Sequence, residues 1–169
     1  MRTSHWSLRT ALLIVGLASA VTALRADDKQ PVSFPEGYRT WRHVKSIVIG
    51  PEHPTFPKRG GFSHTYANDL AVVGYRTGKY PNGSVVVVEG VFVNDGEGPG
   101  KGIVFEGGRR FLDVMVKDDV LYKDTGGWGF EHFEGEEKTS RRTAGDQKKC
   151  HECHAKAQDH DQVFSRIRP

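Results

Sequence analysis

At 169 residues, with 24 basic against 21 acidic side chains and a formal net charge of +3, the chain has room for one domain with a real core and is only mildly basic. Its charges are spread along the length. No basic stripe with interleaved aromatics occurs, which argues against nucleic acid as a partner.

The N-terminus carries Arg2 and Arg9, then an apolar run from Ala11 to Leu17, then small residues at Ala20, Ala23 and Ala26. This is the pattern of a secretory signal peptide over residues 1–26, with cleavage after Ala26, or alternatively after Ala23. A membrane anchor is the rival reading, but the run is too short to span a bilayer. Cleavage after Ala26 leaves about 143 residues, beginning at Asp27, with no other stretch apolar enough for membrane insertion.

Asp27 to Phe34 reads as a polar lead-in, and Trp41 to Ile49 alternates as a strand. Pro51, Pro54 and Pro57, followed by Gly60-Gly61, argue against regular structure in a loop long enough to cover or line something. Asn68 or Asp69 is placed to cap a short helix that ends near Gly78. Pro81-Asn82-Gly83 is a turn signal. Ser84 to Glu89, continuing through Val93, is the most strand-like run, and its four successive valines predict burial on both faces. Gly96 to Gly100 is a flexible connection. Gly102–Phe105 and Phe111–Val116 read as two strands around a turn at Gly107-Gly108, and Gly126-Gly127 introduces a last strand, Trp128–Phe133. Glu134 to Lys149 is charged and expected at the surface, with a helix following. The class is α+β, mainly an antiparallel sheet with short flanking helices and a C-terminal helix.

The only two cysteines lie in Cys150-His151-Glu152-Cys153-His154. Cys-x-x-Cys-His is the spacing of a c-type haem attachment site. On a helix, Cys150 and Cys153 share one face, where two thiols can add to the two vinyl groups of one porphyrin, and His154 can reach the iron as proximal ligand. Holding haem c uses both cysteines, so no disulfide is expected. The competing readings are a redox dithiol, a short disulfide, or half of a zinc site completed by distant histidines. His151 stands at the wrong position to ligate and is expected to face solvent.

Several separated motifs agree with one family. Gly37-Tyr38-Arg39-Thr40-Trp41, His64 to Asn68, Tyr75 to Ser84, Val116-Lys117-Asp118, Gly127-Trp128-Gly129-Phe130 and the terminal haem motif together resemble the cytochrome P-460 family, from about Pro35 to the chain end. The resemblance implies a domain over 35–169, periplasmic and mainly antiparallel β. It also implies one covalently bound haem, its iron five-coordinate through His154, and a possible homodimer. The open distal side of such proteins binds nitric oxide or hydroxylamine, with electrons passed to a soluble redox partner cytochrome.

Two positions bear on the chemistry. Where hydroxylamine-oxidising members carry a lysine cross-linked to the porphyrin, alignment on Gly78, Gly83 and Glu89 puts Val88, which cannot form that bond. Where they carry a distal glutamate, the alignment puts Asp113, a candidate proton acceptor. If Asp113 faces the haem, the period of two brings Phe111 and Met115 to the same side and Val86 beside Val88. His132, His64 and Met115 are candidates for a sixth iron ligand, which would make the protein a six-coordinate electron-transfer cytochrome instead. His64 and Tyr66 are also candidate hydrogen-bond donors in the pocket. A hydroxylamine-oxidising or peroxidase-like enzyme is the third reading.

Overall fold

The computed structural model describes residues 32–139 and 142–168. The expected signal peptide over 1–26 and the start of the lead-in lie outside these residues. Five strands follow one another across a single antiparallel sheet: β1 (Arg42–Ile49), β2 (Gly61–Ala67), β3 (Val85–Asp95), β4 (Val104–Lys117) and β5 (Trp128–Glu134). Each strand pairs with its neighbour in sequence, so every connection is short and local. Three helices flank the sheet: α1 (Phe56–Arg59), α2 (Asp69–Thr77) and α3 (Ala144–His154).

The central place of β3 accounts for its valines. Val86 and Val87 are both buried, one on each face, because β3 has strands on both sides and packing above and below. Helix α2 starts at Asn68, whose Oδ1 accepts from the Ala71 amide and also from the Val85 amide, while its Nδ2 donates to the Gly83 carbonyl. One side chain thus caps the helix and ties it to the start of β3. Gly78 closes α2 in the left-handed region at φ 77°, which favours glycine. Thr143 and Asp146 form a reciprocal capping box at the start of α3.

Three expectations are corrected, and one strand is added that the sequence reading did not assign. The predicted strands Gly102–Phe105 and Phe111–Val116 are one continuous strand, β4, with no turn at Gly107-Gly108. There the chain passes close to β3, since a Cβ at Gly107 would lie 3.1 Å from the Phe92 Cβ, and bulges around Val91 absorb the irregularity. The stretch around His64 is strand β2, whose Ser63, His64 and Thr65 are buried although polar. The proline-rich loop contains the single turn α1, with Pro57 at a first-turn position that costs no hydrogen bond. Helix α3 begins at Ala144, six residues before the first cysteine, within the charged surface segment that was expected to precede the helix.

The sheet separates two cores. On the front face Val86, Met115, Phe130, Trp128 and Tyr80 pack with α2, α3 and the C-terminal tail. On the back face Val87, Leu112, Val114, Phe133 and Tyr38 pack together with Val32, so the end of the polar lead-in is in fact core. Among the described residues no helix is long and apolar enough to cross a membrane.

Candidate functional site

Direct cross-strand pairing sets three rows of side chains on the front face of β3, β4 and β5: Val86–Met115–Phe130, then Val88–Asp113–His132, then Gly90–Phe111–Glu134. The period of two therefore does bring Phe111, Asp113 and Met115 to one side, with Leu112 and Val114 on the other.

Helix α3 carries both free cysteines and packs Cys150 against the core that holds the first row. Cys150 is half-buried against the front core and Cys153 is exposed. The His154 ring lies between Phe130 and Phe164, at 5.1 and 4.9 Å between centroids. Its Nδ1 donates to the Gln162 carbonyl at 2.9 Å, which fixes the tautomer and leaves the Nε2 lone pair for a metal. Burial pulls this imidazole below the ordinary histidine range, favouring the neutral form that coordinates. Two thiols on one helix face, followed by an imidazole so presented, fit a covalently attached haem.

The carbonyl that holds His154 belongs to a constrained turn. Asp161 and Gln162 both adopt left-handed backbone, φ 49° and 69°, which non-glycine residues seldom do. Asp161 accepts from the Tyr80 amide and from Lys117 Nζ, and its carbonyl accepts from Trp128 Nε1. Gln162 reaches back to His151 Nδ1 at 2.9 Å, so His151 is tied to the tail and half-buried, where the sequence suggested a solvent-facing ring. Sequence reasoning missed Gln162, because its role is played by a backbone carbonyl that no side-chain motif announces.

The second row holds the charged cluster. Asp113 Oδ1 and His132 Nδ1 share a hydrogen bond at 2.6 Å, and Asp113 Oδ2 pairs with the Arg59 guanidinium. His132 Nε2 lies 2.9 Å from Glu134 Oε2. Phe111 is buried between Arg59 and His132, its ring 4.0 Å from the Arg59 guanidinium carbon and stacked on the imidazole at 6.0 Å. Gly90 is required beside it, since a Cβ there would stand 2.1 Å from the Phe111 ring. Burial pushes the Asp113 carboxyl up, but the His132 hydrogen bond and the Arg59 charge outweigh it and hold the group below the usual carboxylate range. The same hydrogen bond raises His132. A cavity of about 520 Å³ opens here, lined by Arg59, Arg110, Phe111, His132 and Glu134.

Arg59 was not singled out in the sequence, although the loop that carries it was. Arg110 braces that loop by donating to the Pro57 and Gly60 carbonyls, which sets Arg59 over the second row.

Of the residues considered as a sixth iron ligand or pocket donor, His132 has a carboxylate at each ring nitrogen. His64 and Tyr66 are corrected to the back face, in register with Glu89 and Val87. There His64 contacts Ser46 through Nδ1 and Glu106 through Nε2. Met115 is packed in the front core.

No curated protein matches the chain. The sequence profile of the cytochrome P460 family matches residues 35–165, spanning the sheet, the charged second row and the Cys-x-x-Cys-His helix, and the chain belongs to that family of haem cytochromes.

Proposed function

We propose that this chain is an exported, periplasmic mono-haem c-type cytochrome that binds, or slowly turns over, nitric oxide or hydroxylamine. In this reading Cys150 and Cys153 hold one haem c by thioether bonds and His154 is the axial ligand. The haem, when bound, supplies the iron that takes the small ligand and exchanges electrons with a soluble redox partner cytochrome.

The observation that carries the reading is the second row. Asp113 is kept ionised by Arg59 and His132 on the face against which Cys150 packs, beside Val88. An anchored carboxylate can accept a proton from a nitrogen substrate, and Arg59 and His132 hold it in one orientation. The commitment of both His132 nitrogens, the back-face position of His64 and the packing of Met115 all favour an open iron face over a sixth protein ligand. Val88 has no amine, so the haem is expected without a lysine cross-link. Hydroxylamine oxidation is a second reading, favoured by the same ionised Asp113. A homodimer is supported by the exposed apolar ends of the strands, including Val48, Phe92 and Phe105.

The test is spectroscopic. The purified mature protein should retain haem through denaturation, lose it on Cys150→Ala with Cys153→Ala, and show an unshifted c-type spectrum. Its ferrous form should change on adding nitric oxide or carbon monoxide. Sharp low-spin bands unmoved by either gas would refute the open-site reading.

A further inference from the structure

We propose that Asp113, His132 and Glu134 form a proton path from the ligand-binding face of the sheet to solvent, with His132 carrying the proton between the two carboxylates. The inference rests on the reading above in one respect, that Asp113 faces the bound ligand.

The geometry is continuous. Asp113 and His132 are directly opposed on β4 and β5, and Glu134 follows two residues along β5 on the same face. The two contacts are 2.6 and 2.9 Å, both within hydrogen-bond range. Side-chain exposure runs from 31% at Asp113 and 26% at His132 to 75% at Glu134, so the path ends in water. Each ring nitrogen faces a carboxylate, so the imidazolium and both neutral tautomers stay hydrogen-bonded on at least one side. With the ring neutral and protonated at Nε2, a proton accepted at Nδ1 from Asp113 is matched by one released from Nε2 to Glu134; a turn of the ring then gives the Nδ1 proton to water and lets Nε2 take one up, which restores the starting tautomer.

The surroundings hold the ring in this role. Arg59 occupies the other Asp113 oxygen, so only Oδ1 faces the histidine. Phe111 stacks under the imidazole. The other charged groups facing the cluster are Lys58 and Arg110 at the cavity, with Arg142 acting from the segment before α3. Arg142 opposes a charged ring, whereas Asp113 and Glu134 favour it, and the carboxylates prevail.

The alternative is a static brace between strands, and two measurements on the haem-loaded mature chain separate them. In hydroxylamine-dependent haem reduction, His132→Gln should lower the rate about tenfold. Raising the concentration of HEPES, a bulky base that does not bind iron, should restore much of it. Glu134→Gln should cost only about two- to threefold, since water reaches His132. A His132→Gln rate equal to the parent, or a loss that HEPES leaves unchanged, overturns the path.

The second measurement needs no turnover. In nitrogen-15 spectra of the ferrous carbon monoxide complex, His132 should titrate above the ordinary histidine range and fall back toward it in Asp113→Asn. A ring fixed as one neutral tautomer at pH 7 overturns the proposal. A parent protein inert to hydroxylamine defeats the enzymatic reading alone and leaves the path to be judged on these spectra.

Discussion

Two carboxylates stand on opposite faces of the sheet almost back to back, and they are handled differently. On the back face Glu89 accepts from the Tyr38 hydroxyl at 2.7 Å and pairs with Arg39, and its side chain is 3% exposed. On the front face Asp113, directly across β3 from Val88, is held by Arg59 and His132 yet stays ten times as open. Each acid has an arginine and one further donor. On the back face the carboxylate itself is sealed, although its Arg39 partner is largely exposed. The front cluster lines a cavity and leads through His132 to an exposed glutamate. The contrast separates a carboxylate that holds the fold from one available for chemistry.

The largest effect should come from breaking the sealed side. Glu89→Ala removes the acceptor that the buried Tyr38 hydroxyl requires, while Arg39, largely exposed, returns to water. Equilibrium denaturation should show a loss of about 2 kcal/mol, with haem content and gas binding retained by the folded fraction. An unchanged midpoint would show that the back carboxylate is not a structural tie.

On the front, Gly90→Ala should come next. A methyl there meets the Phe111 ring, which must leave its place between Arg59 and His132. Overpacking of this kind costs about 1–2 kcal/mol. The sharper sign is spectroscopic, since displacing Phe111 should also shift the gas-bound haem bands, which Glu89→Ala should not.

The sequence carried much of this but not the join between its parts. Alternation and caps found β1, β3, β5 and α2, whose ends are marked by Asn68 and Gly78, because those signals are local. It missed β2, whose Ser63-His64-Thr65 gains burial only from neighbours on both sides. It divided β4 at Gly107-Gly108, where glycine marks close strand approach instead of a turn. The haem motif was legible because its two cysteines and the histidine that follows sit within five residues. Strand parity correctly grouped Phe111, Asp113 and Met115, but Arg59 enters from 54 residues away in the chain, and no local pattern encodes that pairing. His132 was noticed as a candidate iron ligand, but its carboxylate partners were not legible, since iron ligation and carboxylate bonding demand the same residue type.

The smallest expected effect is on stability as a function of pH, and it sharpens the comparison most. Asp113 has its folded value lowered, so its contribution is present above about pH 4 and fades as pH falls through that folded value. His132 has its folded value raised, so its contribution is complete below about pH 6.5 and is lost as pH rises through the folded value. The front cluster therefore stabilises most between those limits, by less than about 1 kcal/mol given its exposure. On the back face, burial and the Glu89 contact push Tyr38 up to about 12, so that cluster weakens only as pH climbs past about 10. Urea midpoints from pH 3 to 11 should show Asp113→Asn flattening the acid and near-neutral limbs while leaving the alkaline one. If Asp113→Asn instead altered the alkaline limb, the two faces would be coupled through β3 and could not be treated as separate devices.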